Sequence, residues 1–79
     1  MYEKEKIYKY LKGKICDLGF EEEEIAEDLY IREDLGLDSS EVVDISLHIK
    51  KDYGIKIDLK EDKKIKDIVN MILGGERDE

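Results

Sequence analysis

Proline and tryptophan are absent from this sequence, and cysteine and histidine occur once each. Each gap excludes something. Without proline to break helices, glycine must punctuate the chain. With Cys16 alone, no internal disulfide can form, and a chain without a disulfide framework suits a reducing compartment. Cys16 and His48 offer no metal-ligand spacing, so no metal site is expected and both residues read as structural or incidental. One histidine, one thiol and scattered carboxylates assemble neither a nucleophile–base pair nor a general acid–base pair, so an enzyme in its own right is not expected. No run of about 18 apolar residues is present to span a membrane. Met1-Tyr2-Glu3-Lys4 lacks the basic-then-apolar layout of a signal peptide. The expectation is a cytoplasmic protein with no membrane insertion.

What is present is charge, unevenly placed. Hydrophobic residues make up 41% and charged residues 46%, which leaves enough apolar material for a core in a heavily charged chain. Seventy-nine residues make one expected domain, 1–79, with a frayed tail over 76–79. Residues 1–20 carry five lysines and three acids, residues 21–40 carry nine acids against Arg32 alone, and the remainder carries ten acids against eight bases. The net charge of −8 therefore resides in the middle segment. Nucleic acid and anionic membranes are repelled by such a segment, whereas a protein with a basic patch is attracted and steered. Crowding of these carboxylates also predicts a fold stabilised by added salt or magnesium.

Ile7, Leu11, Ile15 and Leu18 recur at helical spacing, which predicts an amphipathic helix from about Glu3 to Leu18 with Gly19 just past its end. Residues 21–38 have no sustained period, but Ile25, Leu29, Ile31, Leu35 and Leu37 would anchor a long loop. Asp38-Ser39-Ser40-Glu41 reads as a capping box, and Val42, Ile45, Ile49 and Tyr53 continue it as a helix over 39–53 that Gly54 ends. Ile55 and Ile57 alternate in an extended stretch and are expected to point inward; Leu59 to Lys64 is expected as a short turn of helix. Ile65, Ile68 and Ile72 mark a last helix that runs to Gly74-Gly75.

The segment Asp34-Leu35-Gly36-Leu37-Asp38-Ser39 sets a serine on the first turn of a helix, after an acid and a glycine that permits close approach. A first-turn hydroxyl lies near the positive end of the helix dipole, where phosphate is stabilised. His48, nine residues on, is more than two helical turns away, so no base activates Ser39 as a hydrolase nucleophile. A calcium loop starting at Asp34 fails as well: Ser39 and Ile45 stand where glycine and glutamate are required.

These residues, with Glu41-Val42-Val43-Asp44 and Tyr53-Gly54-Ile55-Lys56-Ile57, resemble the acyl carrier protein family over nearly the whole chain. The resemblance implies an all-α fold, a small four-helix bundle of three main helices plus one short helix, with a long acidic first loop. It implies 4'-phosphopantetheine, moved from coenzyme A onto Ser39 by a phosphopantetheinyl transferase, with Asp38 as motif residue and N-cap. The arm would carry acyl groups as thioesters between acyl-transferring and acyl-modifying enzymes with basic patches, in fatty acid, polyketide or related specialised metabolism. A monomer is expected. Glu41 and Asp44 would face those partners; Val43 and Leu47 are either partner contacts or half-buried core. Two departures stand out. Ser40 replaces the family's apolar residue after the serine and sets two hydroxyls side by side, of which Ser39 holds the motif position. Lys50 and Lys51 occupy positions where acids are common, which points to a dedicated partner set. The alternative is a carrier-like helical binding module without the arm, acting as an interaction subunit.

Overall fold

A computed structural model describes residues 3–74. The first helix, α1, spans Lys4–Cys16 and turns Ile7, Leu11 and Ile15 fully inward. It closes slightly earlier than the periodicity predicts because the chain tightens: the amides of Leu18 and Gly19 donate to the carbonyls of Ile15 and Cys16, three residues back. Gly19 then reverses the chain at φ +109°, a conformation that side-chain-bearing residues rarely adopt. Leu18 is left half-buried against the core.

The second helix, α2, spans Ser39–Tyr53 and buries Val42, Ile45 and Ile49. Gly54 ends it at φ +68°, its amide donating to the Lys50 carbonyl. The third, α3, spans Ile65–Gly74 and buries Ile65, Ile68, Val69 and Ile72. α3 packs against α1. These residues form one contiguous apolar cluster, joined by Ile25, Ile31, Leu35 and Leu37 from the first loop and by Ile55, Ile57 and Leu59 after α2. Removing each such side chain from water contributes roughly 1.5–3 kcal/mol. The middle of α1 is tied to the end of α2 by Tyr10, whose hydroxyl donates to Asp52 and whose ring meets Tyr53 edge-on at 5.0 Å. Burial, then the Asp52 bond, pushes the Tyr10 hydroxyl above its ordinary pKa.

The expected helical turn at Leu59–Lys64 does not form; among the described residues there are three α-helices and one 3-10 turn, Glu22–Glu24. The reason is competition for backbone groups. Ile31 donates its amide to Lys63 and Ile65 donates to Leu29, both at 3.0 Å, around an antiparallel bridge between Tyr30 and Lys64. The Asp62 carboxylate accepts from the amides of Arg32 at 2.9 Å and Glu33 at 3.0 Å. Asp58 accepts from the Lys60 amide. Residues so engaged with the first loop cannot satisfy a helix of their own. Ile55 and Ile57 are buried as expected. The tail expected to fray over 76–79 lies outside the described residues.

Candidate functional site

The first loop ends in a self-closed turn. The carbonyl of Tyr30 accepts from the amides of Asp34 and Leu35, while the Tyr30 amide donates to the Asp34 carboxylate at 2.8 Å. Gly36 donates to Arg32, and Leu37 donates to Ile31. Gly36 stands at φ +75°, where glycine's lack of a side chain is needed to complete the reversal. Leu35 and Leu37 are buried on either side of it and fix the turn to the core.

Asp38 follows as the N-cap of α2. Its Oδ1 accepts from the Glu41 amide at 2.8 Å, and Glu41 Oε1 accepts from the Asp38 amide at 3.0 Å. This reciprocal pair is the capping box that the sequence predicts. Ser39 is the first helical residue and is exposed, as is Ser40 beside it. Intrahelical bonds reach back four residues, so the first-turn amides of Ser39 and Ser40 have no carbonyl partner within α2. Anionic oxygen at this helix end would meet free donors and a favourable dipole. The structure therefore holds an accessible hydroxyl between a hydrogen-bonded turn and a capped helix, in surroundings able to tolerate a phosphodiester.

His48 pairs with Asp44 at 3.5 Å and stands about 13 Å along the helix from Ser39, at 1.5 Å per residue. It cannot act as base toward Ser39. Val43 and Leu47, which the sequence leaves between core and surface, are 54% and 59% exposed and so lie outside the core. They sit four residues apart on one flank of α2, with exposed Asp44 beside them and half-buried Glu41 at the start of the helix. Lys50 and Lys51 occupy the last turn of α2, where positive charge is stabilised by the carbonyl end of the helix dipole.

The acidic segment is partly tied to the rest of the molecule. Lys12 of α1 reaches Glu22 at 3.5 Å, and Lys66 of α3 reaches Asp28 at 2.9 Å. Hydrogen bonding to Lys66 holds the Asp28 carboxyl below its ordinary pKa, and the same bond holds the Lys66 ammonium above its own.

The family model for the phosphopantetheine attachment site matches residues 9–72. An acyl carrier protein of Coprothermobacter proteolyticus is 36% identical over 74 residues, covering 89% of this chain and 90% of that one. An acyl carrier protein of Rickettsia bellii is 45% identical over 53 residues, covering 63% of this chain and 65% of that one. The chain belongs to the acyl carrier protein family. Its fold is similar to the crystal structure of the type II peptidyl carrier protein ColA1a of collismycin biosynthesis, with a TM-score of 0.70 and 27% identity over 91% of this chain and 98% of that one. The cofactor of an acyl carrier protein is a covalently attached 4'-phosphopantetheine, and an exposed serine hydroxyl at a capped helix start is a fitting place for it. Carrier proteins are generally non-catalytic and work with partner enzymes. No described helix is long and apolar enough to cross a membrane.

Sequence reasoning missed one feature of the site. A cleft of about 830 Å³ opens beside α2, lined by Val43, Ser46, Arg32 and Met71 together with residues 56–60. In the sequence, Arg32 stands out only as the single base of the acidic segment. Ser46 and Met71 carry no signal that spacing alone reveals.

Proposed function

We propose that Ser39 is the attachment point of the phosphopantetheine arm and that the protein shuttles acyl groups, as thioesters on that arm, between enzymes of fatty acid, polyketide or a related specialised pathway in the cytoplasm. The observation that carries this reading is the exposed Ser39 hydroxyl on the first turn of α2, held from both sides by the Gly36 turn and the Asp38–Glu41 capping box. Attachment forms a phosphodiester at Ser39 Oγ and breaks the pyrophosphate of coenzyme A. Adenosine 3',5'-bisphosphate leaves, and the serine proton passes to the transferase. The carrier itself catalyses nothing in this reading: His48 is engaged with Asp44 and stands away from Ser39. Ser40 is also exposed, but it stands one residue beyond the capped start and outside the motif position.

Partner enzymes would dock on the flank of α2 formed by Val43 and Leu47, with Glu41 and Asp44 meeting their basic residues. The lysines of the last turn place a repulsive element at the far end of that surface, which supports a dedicated partner set. Purified protein is incubated with coenzyme A and a broad-specificity phosphopantetheinyl transferase, then weighed. A gain of one phosphopantetheine, lost in Ser39→Ala and kept in Ser40→Ala, is expected. A gain that survives Ser39→Ala moves the site, and no gain under conditions that modify a control carrier favours an armless binding module.

A further inference from the structure

Resting on the assignment of Ser39 as the arm's attachment point, we infer that the cargo of this carrier is a short aliphatic acyl group ending in a carboxylate, with its anionic end held by Arg32, Lys56 and Lys60. Ser39, Val43 and Ser46 are spaced four and then three residues apart, so they share one face of α2. Val43 and Ser46 lie about 6 and 10 Å along the helix from Ser39 at 1.5 Å per residue, and both line the cleft. An arm anchored at Ser39 and laid along that face delivers its thioester to the cleft.

The cleft is amphipathic. Its apolar part comes from buried Ile57 and Leu59, half-buried Met71 and the exposed flank of Val43. Methylene groups are accommodated against such a surface. Its polar part is cationic in a protein whose net charge is −8. Arg32, Lys56 and Lys60 line it against the single carboxylate of Asp58, and Asp58 accepts from the Lys60 amide. Among the described residues, none of the three cations has a carboxylate within ion-pair distance. Arg32 is half-buried; its Nη2 makes only a long contact of 3.5 Å to the Leu59 carbonyl, and its Nε is buried without any partner. A guanidinium held in this way has donor capacity to spare, and its planar fork matches a carboxylate. A cargo with a methyl end would leave the half-buried Arg32 guanidinium beside an apolar tail with no carboxylate to meet it, which disfavours a simple fatty chain.

The test loads the protein from hexanoyl- and adipoyl-coenzyme A, groups of equal carbon count that end in methyl and carboxylate. Mass confirms loading, and the rate of thioester cleavage by hydroxylamine reports shelter in the cleft. The adipoyl thioester is expected to be cleaved at least threefold more slowly than the hexanoyl one. That difference should shrink with added salt and disappear in Arg32→Gln and in the double variant Lys56→Gln/Lys60→Gln, each checked by thermal melting. The double variant alters exposed side chains only, so it decides the matter if Arg32→Gln fails to fold. Equal rates, or a slower hexanoyl thioester, overturn the inference while loading still upholds the carrier reading. An adipoyl advantage that persists in the folded variants also overturns it. Cation removal that speeds both thioesters alike assigns these charges to the arm's own phosphate and refutes the cargo class. Failure to load at Ser39 overturns the attachment reading and this inference with it.

Discussion

Replacing Asp38 by alanine tests whether the capping box really sets the start of α2 and with it the placement of Ser39. Asp38 Oδ1 accepts from the Glu41 amide at 2.8 Å, and no alanine can replace that acceptor. Loss of an N-cap acceptor costs about 1 kcal/mol, within a range of roughly 0.5–2. The carboxylate also faces the positive end of the helix, which is worth roughly 0.3–1 kcal/mol at an exposed site. Asp38→Ala should therefore cost about 1.5 kcal/mol, which for a domain of this size lowers Tm by about 6–12 °C. Asp38→Asn keeps the acceptor and loses only the charge. Because that charge sits in an acidic segment, its removal also relieves repulsion, so Asn should stay within about 3 °C of the parent.

Thermal melts followed by helical circular dichroism measure both variants. Glu41→Ala completes a double-mutant cycle in which coupling of about 0.5 kcal/mol or more is expected, since the two side chains cap each other's amides. An Asp38→Ala protein that melts within 2 °C of the parent, or an Asn variant as damaged as the Ala one, would refute the reasoning. Asp38→Asn then serves a second purpose. Any loss of phosphopantetheine loading in this variant belongs to recognition by the transferase, because the helix start is intact.

Three further outcomes follow from the same structure. Ile45 is 1% exposed and Leu47 is 59% exposed on the same helix, so Ile45→Ala should cost about 2–5 kcal/mol in urea unfolding and Leu47→Ala no more than about 0.5. Tyr10→Phe should cost about 1 kcal/mol at neutral pH through the lost Asp52 bond. Because the folded protein holds the Tyr10 proton more tightly than the unfolded chain, wild-type stability should fall as pH rises above about 10, and the Phe variant, lacking that fall, should converge with it; parallel curves would contradict the assignment. Salt or magnesium should raise Tm, but by less than the crowding of residues 21–40 alone implies, because Lys12 and Lys66 already pair with that segment. Lys66→Gln should make the salt response larger, and the depressed Asp28 pKa means its contribution is present above the ordinary carboxylate range and lost as pH falls through the folded value.

Much of this architecture was legible because α2 states itself locally. Asp38 and Glu41 at the right spacing announce the cap, Val42, Ile45 and Ile49 announce the buried stripe, and Gly54 announces the stop, so the helix bounds follow from short-range chemistry. Leu59–Lys64 departs from the helical turn its sequence predicts for the opposite reason. Its conformation is decided by Asp62 bonding to Arg32 and Glu33 some thirty residues away, and by Lys63 pairing with Ile31. No local pattern encodes such partners. The cleft was invisible on the same grounds: Arg32, Ser46, Met71 and Lys60 come from four separate stretches of chain. Val43 and Leu47 lay between, since a helical stripe tells which residues face inward but not how far a neighbouring loop covers the flank.

α2 separates the demands placed on it by angle. Val42, Ile45 and Ile49 hold the bundle, Val43 and Leu47 stand outward on the neighbouring flank, and Ser39, Val43 and Ser46 run as a line from the helix start to the cleft. Val43 belongs to both outward sets, so it is the one position at which docking and cargo shelter should interfere. A polar residue there should weaken partner binding and expose the thioester together, whereas Leu47→Ser should weaken binding alone. Partner affinity and hydroxylamine cleavage, measured on the same two loaded variants, distinguish these effects. If Val43→Ser leaves the thioester as sheltered as before, the arm does not travel along this face of α2.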